Sequence, residues 1–359
     1  MKVFFLCKYL STGGAERVCV DIANGLSERG HQVTILTDIG KEITYPPISS
    51  VRLVDCKMTN RYRNVSNNFR QMFKMFRKEK PDVVISILYV RSLTAKLASI
   101  LTCGCPIVAS DHSSFERPKG YHLRFVLRLD KFYFNYIYDY LTLLTKADLD
   151  FLKGRFKNKS RVMYNPLSFE PLKYIPNKEK TILAVGRISA WEYKGFDLLI
   201  QAWNMIAHKY PDWTLRIIGH GNEKTINFLK NLAPQIKNIE FKSYTTQIKD
   251  EYKKASVFVL SSRYEGFGLV LTEAMSQGCA CVACDYLGRQ SEIVTDNVSG
   301  LICEPNNVSM LAEKIDELLS NTAKREEIQK NAIKALDKFH INNVVMSWEN
   351  LLIELCDKK

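Results

Sequence analysis

A chain of 359 residues, 46% hydrophobic and 25% charged, is long enough for two cores and excludes a disordered chain or a membrane-spanning bundle. Its net charge of +13 is one-sided, with 27 Lys and Arg against 15 Asp and Glu in residues 1–170 and 24 against 23 in the remainder. The first half alone is therefore built to meet something anionic, either a phospholipid surface or nucleic acid.

The apolar run Val3 to Leu6 is too short for the centre of a signal peptide, and no small-residue cleavage site follows. It reads as a first β-strand over 2–6. An amphipathic helix follows from about 15 to 29, stopped by Gly30, and further strands are predicted over 32–37, 51–55, 83–87, 107–110 and 141–145. Between the strands at 51–55 and 83–87, residues 61–80 form a basic amphipathic helix. Phe69, Met72, Phe73 and Phe76 fall on one face, and Arg70, Lys74, Arg77 and Lys78 spread around the other. Asn165-Pro166, then Pro171 and Pro176 among mixed charges, mark a domain boundary. A second series of strands is predicted over 181–185, 214–218, 239–242, 257–260 and 280–283. Within it, Cys279, Cys281 and Cys284 lie in an apolar run that reads as a buried strand. The ten cysteines, with no export signal, fit reduced thiols in the cytosol. No stretch approaches the roughly 18 apolar residues that a membrane helix needs.

Strands alternating with helices predict an α/β chain of two Rossmann-like, doubly wound parallel-sheet domains facing across a cleft, with ligands at the strand carboxyl ends. The expected boundaries are 1–168 and 169–341. A last helix, about 342–359 and rich in Trp, Leu and Ile, is expected to pack back on the first domain.

Three clusters carry candidate chemistry. Gly13 and Gly14 follow the first strand and open a helix, where a backbone without side chains and free N–H groups can approach an anion, although a tight turn needs the same residues. Gly186-Arg187, followed by Lys194-Gly195, places two cations beyond a strand of the second domain. They suit a diphosphate without a metal, or they are solvated loop cations. The sharpest cluster is Glu265-Gly266-Phe267-Gly268-Leu269, which leads into a helix carrying Glu273. The two glutamates flank a glycine turn, and the amides of Gly266 and Gly268 are open to a phosphate at the helix start. A carboxylate on that helix can hold vicinal sugar hydroxyls.

Glu265 and Glu273, with seven residues between them, form an E-x7-E pattern that resembles the retaining glycosyltransferases of family GT4, which have the GT-B fold. Gly13-Gly14, Asp111-His112-Ser113, Asn165-Pro166, Gly186-Arg187 with Lys194-Gly195, Gly219-x-Gly221 and Gly300-Leu301 follow in the family's order, so the resemblance covers most of the chain. It looks most like bacterial enzymes of capsule, O-antigen or lipid-linked oligosaccharide assembly. The resemblance implies that Gly14 offers its backbone to the diphosphate and that Arg187 and Lys194 hold the phosphates. It gives the ribose hydroxyls to Glu273 and the donor sugar to Glu265 and His112. It also implies retention of anomeric configuration, with no covalent nucleophile and no metal cofactor, and by family habit a UDP-sugar. Asp148 and Asp150 mimic a D-x-D metal motif, but at the start of an amphipathic helix they read as a cap.

The expected partners are a nucleotide sugar, a lipid-linked or saccharide acceptor and an anionic membrane, from a cytoplasmic position at the inner face of the cell membrane. The helix at 61–80 and a second patch with Arg117, Lys119, Arg124, Arg128 and Lys131 would meet that surface. The rival readings are weaker. Nucleic-acid binding rests on charge without a recognised motif. A two-domain nucleotide-sugar epimerase leaves E-x7-E with Arg187 and Lys194 less well explained. A two-lobed solute-binding protein would require export.

Overall fold

The opening apolar run becomes a central strand, β1 (Lys2–Leu6), whose side chains alternate between the two faces of a parallel sheet. The computed structural model describes residues 1–11, 13–40, 42–56, 65–88, 92–117, 125–133 and 137–357. Two units emerge, residues 1–166 with 339–359, and residues 167–338.

In the first unit β1 is followed by α1 (Gly14–Glu28), β2 (Gln32–Thr37), β3 (Arg52–Asp55), α2 (Val65–Glu79), β4 (Val83–Ile87), α3 (Ser92–Ile100) and β5 (Ile107–Ser110). Then come α4 (Phe125–Phe132), β6 (Tyr140–Leu143), α5 (Lys146–Phe151), α6 (Arg155–Asn158) and β7 (Ser160–Val162). The seven strands are all parallel, in the order β3-β2-β1-β4-β5-β6-β7, so the winding reverses between β1 and β4. Phe4 and Leu6 join Met72 and Phe76 of α2 and Ala95 and Ala98 of α3 in one core. Val20, Cys19 and Ile22 of α1 are also buried but lie outside that cluster, as expected when right-handed crossovers put α1 on the opposite face.

The second unit runs through β8 (Glu179–Val185), α7 (Trp191–Lys194), α8 (Phe196–Ile206), β9 (Thr214–Ile218), α9 (Glu223–Lys230), β10 (Ile239–Lys242), α10 (Ile248–Lys254) and β11 (Ala255–Leu260). It continues with α11 (Leu269–Ser276), β12 (Ala280–Cys284), β13 (Leu301–Cys303), α12 (Val308–Ser320) and α13 (Thr322–Lys334). Its strand order is β10-β9-β8-β11-β12-β13, again all parallel, with the reversal between β8 and β11. The loops leaving β8 and β11 therefore emerge side by side, which is where a doubly wound sheet gathers its ligand.

The last helix, α14 (Ile341–Asp357), belongs to the first unit and packs on α1 so closely that a Cβ on Gly25 would lie 2.4 Å from Val345 Cγ2. Burial of Val344, Val345, Trp348, Leu351 and Leu352 drives that docking. Glu349 adds an ion pair to Arg29 at 2.7 Å and a hydrogen bond with His31 at 2.8 Å, and Arg161 pairs with Glu354 at 2.8 Å. Such rim pairs contribute about 1 kcal/mol or less each.

Candidate active site

The site in the second unit starts where β8 runs out. A Cβ on Gly219 would sit 1.7 Å from the Gly186 carbonyl oxygen, so that position excludes a side chain, while one on Gly186 would make a tight contact, 3.3 Å, with Lys194 Cδ. Arg187 follows. It is exposed and, among the described residues, has no ion-pair partner. A 3-10 turn (Ile188–Ala190) and α7 then bring Lys194 back towards the sheet.

That turn is fastened to the loop after β11. Gly195 adopts φ 62°, and a Cβ there would lie 1.9 Å from the Ser261 carbonyl oxygen. Ser261 Oγ donates to the Lys194 carbonyl at 2.8 Å, and the Arg263 amide donates to the Tyr193 carbonyl at 2.8 Å. The Arg263 guanidinium grips both oxygens of Asp197, at 2.7 and 2.6 Å, and also donates to the Glu192 carbonyl at 2.6 Å. A two-pronged contact of this kind fixes angle as well as distance. The consequence is that Lys194 Nζ sits 2.7 Å from Glu265 Oε2, an oxygen that also accepts from Ser262 Oγ at 3.1 Å. Two residues 71 positions apart are thereby brought into one half-buried ion pair.

Three residues beyond Glu265, Gly268 takes φ 96° and stands at the N-cap of α11. Among the described residues no side chain caps this helix; the Leu271 amide donates to the Gly268 carbonyl at 2.8 Å, and the amides before it have no side-chain acceptor. Glu273 is the fifth residue of α11, one turn in rather than two, and its Oε2 accepts from the Tyr252 hydroxyl at 3.0 Å. Phe267 is buried. Leu269 begins the helix.

In the first unit Gly13 is the extended N-cap of α1, and Gly14 is its first residue. The Glu16 side chain folds over this end, and a Cβ on Gly13 would be 2.0 Å from Glu16 Oε2. Burial raises the pKa of that carboxyl above the usual range. A diphosphate at these amides would require Glu16 to turn away.

His112 lies just beyond β5. Its Nε2 is 3.2 Å from Ser110 Oγ, while its Nδ1 is shielded from solvent without a partner. Burial lowers its pKa to about 4, against a weaker opposing pull from Asp111, so the ring is neutral at physiological pH. The loop around it is locked by Lys131, which pairs with Asp111 at 2.8 Å and donates to the carbonyls of Ser113 and Ser114 at 2.9 and 2.8 Å. Asp148 is buried and takes the Phe115 amide at 2.8 Å, whereas Asp150 is exposed and pairs with Lys157 at 2.9 Å. The α5 cap is Thr145, whose Oγ1 accepts the Asp148 amide at 3.2 Å, so Asp148 supports the cap and is not the cap itself.

Arg70, Lys74, Arg77 and Lys78 are exposed on α2, while Met72 and Phe76 face the core. Arg117 is partly buried and Arg128 is exposed. Lys119 and Arg124 lie outside the described residues, as does the 61–64 end of the basic helix. Cys279, Cys281 and Cys284 are buried free thiols, and no group of three or more His, Cys, Asp or Glu suited to a metal occurs among the described residues. Nor is any helix among them long and apolar enough to cross a membrane.

Tyr252, Ser262 and Arg263 were assigned no role from the sequence. Their significance lies in partners 3 to 71 residues away, and a tyrosine on a short helix looks like ordinary core.

Two family models divide the chain between them. "Glycosyltransferase Family 4" matches residues 12–170 and "Glycosyl transferases group 1" matches residues 171–335. The chain belongs to the GT4 glycosyltransferases. The transferase is 26% identical to an uncharacterised glycosyltransferase of Haemophilus influenzae over 97% of its own length and 99% of the relative's. It is also 26% identical, over 99% of both chains, to the Campylobacter jejuni enzyme named GalNAc-alpha-(1->4)-GalNAc-alpha-(1->3)-diNAcBac-PP-undecaprenol alpha-1,4-N-acetyl-D-galactosaminyltransferase. Among solved structures it is similar to HepE of Anabaena in complex with UDP-glucose, with a TM-score of 0.78 at 19% identity, over 99% of this chain and 100% of that one. The transferase thus has the GT-B type of fold, and its work lies in glycan biosynthesis.

Proposed function

We propose that the transferase moves a sugar from a UDP-sugar, with retention of anomeric configuration, onto a lipid-linked or saccharide acceptor during assembly of a cell-surface polysaccharide. The observation that carries this reading is the pairing of Lys194 with Glu265 beside the exposed Arg187 and the uncapped start of α11, all at the point where the second sheet reverses its winding. Arg187 and Lys194 are the groups that neutralise the diphosphate, helped by the amides at Gly266 and Gly268. Glu265 is assigned to the donor sugar, and Glu273 to the ribose hydroxyls. The neutral imidazole of His112 is the form that can exchange hydrogen bonds with a sugar hydroxyl.

Retention then follows without a covalent nucleophile. The departing phosphate takes the acceptor's proton on the face from which the acceptor attacks, and the chemistry rests on stabilising the charge that grows on the diphosphate. Fixed cations fill the role that a divalent ion fills elsewhere. UDP as carrier is supported by the complexes of the similar Anabaena structure, and a lipid-diphosphate acceptor by the name of the Campylobacter relative. The exposed cations of α2, in the half of the chain that holds the excess charge, are assigned to an anionic membrane or to the acceptor's diphosphate.

The test is a panel of UDP-, GDP-, ADP- and dTDP-sugars, read by thermal shift and hydrolysis, with and without a chelator. Stabilisation by UDP-sugars alone, hydrolysis that survives chelation and an axial product from an axial donor are the expected results. Preference for another base, or loss of turnover on chelation, would overturn the corresponding part of the reading.

A further inference from the structure

Tyr252 stands apart from the other buried aromatics because its one polar atom is spent on a candidate substrate-binding carboxylate. It lies on α10, is fully buried and packs edge-on to Phe258, with ring centroids 5.7 Å apart, and against Phe169 at 6.3 Å. Its backbone is tied down as well, since the Tyr252 carbonyl accepts from Cys279 Sγ at 3.1 Å and from Lys178 Nζ at 3.3 Å. A ring held on both sides and at its backbone can direct its hydroxyl along one line only. That line ends on Glu273 Oε2 at 3.0 Å.

We propose that Tyr252 is a positioning residue for the donor, which holds the Glu273 carboxylate in the plane needed to grip the two ribose hydroxyls together. The inference rests on the assignment of Glu273 to the ribose. Vicinal hydroxyls engage a carboxylate well only when both oxygens present lone pairs in one plane, and the terminal bond of a half-buried glutamate such as Glu273 has a broad, weakly hindered rotation unless a partner holds it. The Tyr252 bond removes that freedom and leaves Oε1 and the second lone pair of Oε2 for the ligand. Burial and the neighbouring Glu273 keep the phenol well above its usual pKa, so it stays a neutral donor at every working pH. A phosphate, which brings no donors, would gain nothing from this arrangement, whereas a pair of vicinal hydroxyls engages both oxygens of a carboxylate held in one plane.

The experiment measures the affinities of UDP and of 2′,3′-dideoxy-UDP on the same preparations of the parent, Y252F and E273Q. Because the readout is a ratio of two affinities within one preparation, a reduced folded fraction does not affect it. Y252F is expected to bind UDP roughly tenfold more weakly, the size of one charge-assisted hydrogen bond lost, and to bind the dideoxy compound as the parent does. Equal weakening of both ligands in Y252F would mean that the hydroxyl supports packing alone, and would overturn the inference. So would an unchanged ratio in Y252F when E273Q has lost its preference for UDP. An E273Q variant that keeps the parent's preference would instead remove the ribose assignment on which the inference stands. If Y252F does not fold, Y252M, which also lacks the hydroxyl, takes its place with the same expected ratio.

Discussion

At the scale of single residues, burial moves two groups in opposite directions. It holds His112 neutral, with a pKa lowered to about 4, and it raises Asp21 to about 6, against the smaller pull of Arg17. Between about pH 4 and pH 6 the unfolded histidine carries a proton that the folded one lacks, so its contribution to stability rises with pH. Over the same window the folded Asp21 keeps a proton that the unfolded chain has lost, so its contribution falls as pH rises. Relative to the parent, H112Q should therefore show a melting temperature whose slope from pH 4 to pH 6 is shifted downward, and D21N one whose slope is shifted upward. Thermal melts across that range check both, and identical slopes in the three proteins would contradict the neutral state of the half-buried His112. The same scale shows what a sequence can carry. The proposed roles of Glu265, Glu273, Arg187 and Lys194 could be drawn from the sequence because their spacing and flanking glycines are local. Arg263 and Tyr252 were not, because their partners Asp197 and Glu273 are 66 and 21 residues distant and share no periodicity with them.

At the scale of elements, the decisive pieces are turns. Gly195 needs both its left-handed backbone and the absence of a side chain, since the Ser261 carbonyl fills the space. Gly30 shares the backbone requirement, at φ 87°, but nothing lies within 4 Å of where its Cβ would be. Gly30→Ala should cost only the left-handed penalty, about 1 kcal/mol. Gly195→Ala should cost several times as much and weaken nucleotide binding by pushing Lys194 away from Glu265. Chemical denaturation and UDP titration of both variants test the contrast, and equal losses would remove the account given for the α7 turn. Most of the strands were readable from their apolar β-branched runs, with ends shifted by a residue or two. The short edge strands β7 and β13, three residues each, were not, because so few residues carry no period and their pairing is set by the neighbouring strand. The docking of α14 on the first unit agrees with the apolar composition of that helix, whose Trp348, Leu351 and Leu352 are buried.

At the scale of the whole molecule, the two units divide the electrostatic work. The second is nearly neutral overall and places Arg187 and Lys194 just beyond β8. The first carries the surplus, with Arg70, Lys74, Arg77 and Lys78 exposed on α2 while its apolar stripe is used by the core. Each such cation near an anionic bilayer contributes about 1 kcal/mol, and salt weakens the effect. Replacing all four by Gln should abolish sedimentation with anionic vesicles at moderate salt and leave UDP affinity unchanged. A parent that does not sediment with such vesicles, or a variant that still does, would contradict the assignment of these cations to a membrane.

The central claim is that fixed cations beyond β8 hold the donor's diphosphate. Calorimetric titration of UDP into the parent, R187Q and K194Q tests it most directly. The account predicts that each substitution weakens UDP by about tenfold or more, while the affinity for uridine, which has no phosphate, stays the same. UDP affinity equal to the parent's in both variants would contradict it.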